Sequence, residues 1–270
     1  MYKAVFLDLD GTLLQADHSI SEETRQIIRT LMNRDILVVL VSARPYHGIT
    51  PIGKWLGSDS MPVVSLNGAY IGLGEDILFE SQIDLETLRS LHFQAGDFDA
   101  SLIYYTGLSW NAEAYNAAIE KEQKITTVPV NIASFESLMH EWKTLQAGAN
   151  KVMAIGSEPV IAALERKLIS IFEGFLNIYP SKPTYLEIMR LDASKSNAVR
   201  FLLEKYNIRK EEIMAIGDNF NDKEMIAFAG MGIAMGNAPE AVKAVAQYVT
   251  DTNQNDGVRK AIEKFILPNL

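Results

Sequence analysis

The stretch VFLDLDGTLL, residues 5–14, decides how the rest of the chain is read. A dense apolar run carries two carboxylates, Asp8 and Asp10, and is closed by Gly11 and Thr12. Apolar residues at this density and length mark a buried strand. Residues two apart on a strand point to the same side. Asp8 and Asp10 therefore face one point where the strand ends, and repel each other there unless positive charge lies close by.

A second acidic set follows another apolar run late in the chain. EIMAIGD, residues 212–218, reads as a strand ending in Gly217 and Asp218, and GDNFND continues to Asn221 and Asp222. In open α/β sheets, ligands sit beyond the carboxyl ends of the strands. Four carboxylates gathered there are unfavourable alone, and a divalent cation reverses that cost. The chain has no cysteine, and its four histidines form no i, i+4 pair. An all-oxygen donor set of this kind suits Mg²⁺.

Around these two stretches the sequence alternates strand and helix. Ser21 is a good N-cap for the segment 22–35, whose apolar residues Ile27, Ile28, Leu31 and Met32 recur at helical spacing. ILVVLVSAR (36–44) suits a strand covered on both faces. Residues 61–80 read as a buried strand and a hairpin, with Asn67-Gly68 and Gly74 as turn signals. From residue 194 the rhythm resumes: a helix over 194–207, a strand before Asp218, and a short helix stopped by Gly230. A strand at 231–235, a helix opened by Pro239, a brief strand at 248–250 and a closing helix complete it. Such alternation favours a parallel α/β sheet. Residues 83–187 differ, with interleaved aromatic residues and Trp110 and Trp142. They are expected to form an inserted α/β unit, an antiparallel sheet with helices on one face. The core is then residues 1–82 and 188–270.

The bulk numbers narrow the function. At 270 residues, 48% apolar and 22% charged, the chain can build a core without staples. A net charge of −9 argues against a nonspecific nucleic-acid binder, which needs a basic face. No apolar run reaches transmembrane length, and the apolar start is too short and too acidic for a signal peptide. The expectation is a soluble, cytoplasmic protein with no membrane or nucleic-acid partner, compatible with a monomer.

A cation in the acidic cluster leaves one carboxylate free for chemistry. Aspartate is a competent nucleophile toward phosphorus. A neighbouring carboxyl can protonate the leaving oxygen and then take a proton from water. Ser42 and Arg44, after the second strand, can serve phosphoryl transfer, as can Lys195 at a helix start that favours anions.

DLDGTLL resembles the first motif of the haloacid dehalogenase-like (HAD) phosphohydrolases. Ser42, Lys195 and GDNFND match the second, third and fourth motifs. Their order and spacing, with LNGA (66–69), GIAMGNA (232–238) and NDGV (255–258), resemble the Cof-type subfamily, whose cap is inserted between motifs two and three. The resemblance spans essentially the whole chain and is weakest in the cap. It implies a doubly wound, Rossmann-like parallel-sheet core with an inserted α/β cap, hinged to close over substrate. It implies Asp8 as nucleophile and Mg²⁺ ligand, and Asp10 as general acid/base and carbonyl ligand. Ser42 would hydrogen-bond the phosphoryl group, and Lys195 would neutralise it. Asp218 would ligate the metal, with Asn221 and Asp222 completing or orienting its shell. Arg44, Asn67 and Gly68 would contact substrate. The implied activity is an Mg²⁺-dependent phosphatase of small phosphorylated metabolites, such as sugar phosphates, through an aspartyl phosphate. Two departures stand out: Ala43 replaces the usual glycine before Arg44, and Ser196 replaces the glycine after Lys195.

Each residue also has a plainer reading. Ser42 can be a turn residue, Arg44 a surface ion pair, Asn67-Gly68 a hairpin turn and Asn221 a helix cap. Tyr104, Tyr105 and Trp110 can be cap core rather than a wall over substrate. His18 and His47 can be exposed loop histidines. Two other functions share the motifs: a sugar phosphomutase, and a catalytically silent binder of phosphorylated metabolites.

Overall fold

A strand whose residues are all apolar except its last must be covered on both faces, and Ala4–Asp8 (β1) is buried throughout. The computed structural model describes residues 1–58 and 61–269. After β1 comes α1 (Glu22–Met32), whose first turn is closed by Ser21 accepting from the Thr24 N–H. Its Ile27, Ile28 and Leu31 are buried, as the helical spacing requires. There follow β2 (Leu37–Val41), α2 (Thr50–Leu56), β3 (Val63–Ser65), β4 (Tyr70–Leu73) and β5 (Asp76–Glu80). The middle of the chain forms α3 (Leu85–Ala95), β6 (Ala100–Tyr105), β7 (Trp110–Ala112), α4 (Ala117–Thr126) and β8 (Asn131–Ile132). It continues with α5 (Phe135–Leu145), β9 (Lys151–Gly156), α6 (Glu158–Phe172), β10 (Leu176–Lys182) and β11 (Tyr185–Arg190). The last part is α7 (Lys195–Tyr206), β12 (Ile213–Gly217), α8 (Lys223–Phe228), β13 (Met231–Ala234), α9 (Glu240–Lys243), β14 (Tyr248–Val249) and α10 (Gly257–Phe265).

The chain forms two compact units: Met1–Ala43 with Ile49–Leu78 and Ser194–Leu270, and Arg44–Gly48 with Phe79–Ala193. The first unit holds the larger sheet, in the order β14-β13-β12-β1-β2-β3-β4-β5. Pairing is parallel from β14 through β3, then antiparallel between β3 and β4. Ala4 stands between Leu37 of β2 and Ile213 of β12. The sheet therefore grows outward from β1 in both directions, the doubly wound arrangement expected from the alternation. The strand order reverses at β1 and β12, where such sheets place ligands.

The second unit has its own sheet, β10-β11-β9-β6-β7-β8, antiparallel except for the β7–β8 pair. Tyr104, Val152, Ala154, Leu186 and Ile188 share one core with apolar residues of α3, α5 and α6, including Leu91, Trp142 and Leu164. Tyr105 points to the other face, where its hydroxyl donates to Glu122 of α4 at 2.9 Å. Helices thus meet both faces, not one. The reason lies in the strands, whose second face is also closed: Ile103, Tyr105 and Met153 are buried. The aromatic residues Tyr104, Tyr105 and Trp110 are fully buried, as in the core reading.

The division falls at 78/79 and 193/194, whereas the sequence suggested 82/83 and 187/188. The later boundary would cut β11, which pairs with β9 and β10 as far as Met189 and Arg190. The two connecting segments are tied together by the Ser81 hydroxyl, which donates to Asp192 at 2.5 Å.

The turn between β3 and β4 is unusual. Leu66, Asn67 and Gly68 all have positive φ, at 50°, 54° and 98°. A Cβ on Gly68 would lie 2.2 Å from the Ser194 carbonyl oxygen, so the turn is pressed against the start of α7. Asn67-Gly68 is thus a hairpin turn and also a wedge that sets the position of Lys195. Gly68→Ala is expected to cost at least about 1–3 kcal/mol from backbone strain alone. A urea denaturation midpoint well below wild type checks it.

Candidate active site

β1 and β12 are parallel neighbours, so their carboxyl ends open on the same edge of the sheet. Asp8 is the last residue of β1, and Asp218 follows β12 directly. Carboxylate oxygens of Asp8, Asp218 and Asp222 lie within 4.8 Å of one another. Asp8 and Asp222 are buried, and Asp218 is partly so.

Lys195 is the counterweight. It is the first residue of α7, whose N-cap Ser194 accepts from the Asn197 N–H. Its Nζ lies 2.6 Å from Asp8 Oδ1 and 2.6 Å from Asp222 Oδ1. The lysine is 2% exposed, so its full length is enclosed. The second oxygen of Asp222 accepts the N–H groups of Asp218 and Asn219, each at 3.0 Å. Asp222 therefore spends its carboxylate holding Lys195 and shaping the loop that carries Asp218. Asp218 in turn accepts from the Thr12 hydroxyl at 3.0 Å. Thr12 belongs to the opening motif, but its hydroxyl is not itself one of the sequence-derived site residues.

The charges do not balance. Ionised, three carboxylates and one ammonium carry a formal charge of −2. Burial, then the neighbouring charge of Asp222, raises the Asp8 carboxyl well above the usual range, against the pull of Lys195. Burial and Asp222 raise Asp218 too. Burial alone would lower the Lys195 ammonium, but Asp222 and Asp8 outweigh it and hold it above its ordinary value. One more positive partner would relieve both aspartates. The donor set of oxygens alone fits a hard divalent cation such as Mg²⁺.

The other expected residues are distributed less evenly. The Asp10 side chain is half exposed, with His18 Nδ1 at 3.6 Å. Ser42 is buried at the end of β2, and its carbonyl accepts the Asn67 N–H at 3.0 Å. Asn67 Oδ1 accepts from the Asn221 side-chain amide at 3.0 Å. Ser42, Asn67 and Asn221 thus form a hydrogen-bonded row joining the ends of β2 and β3 to the loop after β12. Arg44 falls with the second unit. The two departures from the motifs carry no backbone strain, because neither Ala43 nor Ser196 has positive φ. Among the described residues, no helix is long and apolar enough to cross a membrane.

Known proteins resemble this chain over nearly its whole length. Residues 5–262 match the family model described as haloacid dehalogenase-like hydrolase. A 5-amino-6-(5-phospho-D-ribitylamino)uracil phosphatase of Bacillus subtilis (strain 168) is 31% identical, over 98% of this chain and 96% of its own length. A haloacid dehalogenase-like hydrolase from Bacteroides thetaiotaomicron superposes with a TM-score of 0.87 at 32% identity, covering 97% of this chain and 99% of that one. A Thermotoga maritima protein gives a TM-score of 0.88 at 30% identity, covering 97% of each chain. The likeness runs nearly the full length of the chain. The chain belongs to the haloacid dehalogenase-like hydrolase family.

Proposed function

We propose that this chain is an Mg²⁺-dependent phosphatase of small phosphorylated metabolites, such as sugar phosphates, working through an aspartyl phosphate. The observation that carries the reading is the enclosed Lys195 between Asp8 and Asp222, with Asp218 alongside. One ammonium is too little charge for three acids, and a phosphoryl group would worsen the imbalance unless a metal joined it.

Asp8, Asp218 and the backbone carbonyl of Asp10 are the groups we assign to the metal, with Asp222 orienting the set. Bound there, Mg²⁺ would neutralise the carboxylates and the oxygens of the phosphoryl group. Asp8 attacks phosphorus, the bond from phosphorus to the ester oxygen breaks, and Asp10 protonates the departing alcohol. Asp10, now ionised, takes a proton from water as that water attacks the aspartyl phosphate. Phosphate leaves and Asp8 is restored. Two Lys195 protons are spent on Asp8 and Asp222, and the third is available for a phosphoryl oxygen. Ser42 donates to another. The exposure of Asp10 suits a group that must exchange protons with leaving group and water. We assign choice among leaving groups to the second unit. The ribityl phosphate named for the Bacillus relative is one substrate type to include in a panel.

Release of phosphate from a panel of phosphomonoesters tests the reading. Wild type with Mg²⁺ should turn over a subset of them, and chelation by EDTA should stop it. Asp8→Asn should lower turnover by at least about a thousandfold. Asp10→Asn should lower it by about 10²–10⁴-fold. Near-normal turnover in Asp8→Asn would sink the mechanism, and isomerised sugar phosphate in place of free phosphate would favour the mutase.

The raised carboxyls also predict a pH dependence. Without metal, the folded chain binds more protons at Asp8 and Asp218 than the unfolded chain does, from near 3.8 up to their raised values. Metal-free stability contributed by these groups therefore falls as pH rises through that window. A cation favours the ionised forms, so Mg²⁺ should release protons on binding and bind more tightly as pH rises through the same window. Calorimetric titration in two buffers of different ionisation enthalpy checks this, and identical heats would contradict it.

A further inference from the structure

GIAMGNA, residues 232–238, stands out in the sequence, yet nothing in the proposed chemistry uses it. We propose that Asn237 in this stretch is a positioning residue that sets Asp218 and the turn after β1 in place for the cation. The inference rests on the magnesium reading above.

Asn237 lies in the loop after β13, whose backbone is pinned on both sides. Met235 N–H donates to the Gly217 carbonyl, and Gly236 N–H to the Asp251 carbonyl, each at 3.0 Å. The Asn237 side-chain nitrogen donates to the Gly11 carbonyl at 2.8 Å and lies 3.4 Å from Asp218 Oδ2. Its side-chain oxygen accepts the Asn253 N–H at 3.0 Å. The orientation of the amide follows from chemistry: a carbonyl can only accept, and a backbone N–H can only donate. The NH₂ group must therefore face Gly11 and Asp218.

The turn and the carboxylate leave each other no slack. Gly11 has φ of +87°, and a Cβ there would lie 2.4 Å from Asp218 Oδ2. Asp218 Oδ1 takes the Thr12 hydroxyl while Oδ2 faces Asn237. The two oxygens thus have donors from two different elements, so the carboxylate is aimed before any cation arrives. A second tie acts on the same turn, where the Asn253 side chain donates to the Leu14 carbonyl at 2.8 Å. Asn237 is itself exposed, so apolar packing does not explain its place. A short amide reaching both the turn and the acid does.

The alternative is a loop staple with no bearing on metal, and the two differ in what the variant changes. The test uses the full chain freed of metal, comparing wild type with Asn237→Ala. Calorimetric titration with Mg²⁺ should give a Kd raised about tenfold in the variant, the scale typical of a lost partner behind a metal ligand. Amide hydrogen exchange in the metal-free state should quicken at Thr12, Leu13 and Leu14, whose N–H groups bond to the Leu9 and Asp8 carbonyls within this turn. The metal-free thermal midpoint should stay close to wild type. Asn237→Ser serves if the alanine variant does not fold. An unchanged Mg²⁺ Kd overturns the proposal, whether or not the midpoint falls. Unchanged exchange at the turn overturns it as well. A wild type that takes up no Mg²⁺ defeats the metal reading, and the exchange result still decides whether Asn237 holds the turn.

Discussion

One ammonium holds the carboxyl ends of the central strands together. Lys195 reaches from the start of α7 to touch Asp8 at the end of β1 and Asp222 in the loop after β12. All three charges are out of water. Removing one member of a buried charged set typically costs about 3–5 kcal/mol, because its partner is left uncompensated. The three elements are therefore fixed in one arrangement by the penalty for any other. The arrangement stays incomplete because three carboxylates answer to one cation.

The sheet supplies the stage for that arrangement. Parallel strands start and end together, so β1, β2 and β12 deliver Asp8, Ser42 and Asp218 to one edge. Short local devices then aim the side chains. The turn at Leu66–Gly68 carries a non-glycine residue, Leu66, in the left-handed region, which costs of order 1 kcal/mol. That conformation turns Asn67 toward both Ser42 and Asn221. Strain of this kind persists where the surroundings over-determine it, and here the start of α7 does so.

The parts legible from sequence were those with a short repeat or a local rule. Asp8 closing one apolar run and Asp218 following another were enough to place three acids of the cluster, but not the expected fourth: Asp10 lies beyond the end of β1, half exposed, because the chain leaves the strand at Asp8. Ser21 and Gly74 worked as cap and turn signals because such devices act over a few residues. Long-range polar contacts were not legible. Glu122 faces inward to accept from Tyr105, so α4 joins the face expected to be bare. Arg44 closes the second motif, yet the segment Arg44–Gly48 groups with the second unit. The GNA stretch was visible as a pattern, but its contact with Gly11 spans 226 positions, and no local rule reaches that far.

That separation bears on how the chain comes to exist. Of the two neighbours of β1, β2 is encoded about thirty residues after it and β12 some two hundred. Chains leave the ribosome at about 5–20 residues per second, so one apolar edge of β1 waits on the order of ten to forty seconds for its partner. Throughout that wait Asp8 has neither Lys195 nor Asp222 beside it, and the acids that will later crowd together stand apart and hydrated. Their charge then works as a gatekeeper beside an unpaired strand edge, discouraging pairing with other chains. The residues assigned to catalysis would thus also protect the newborn chain that carries them.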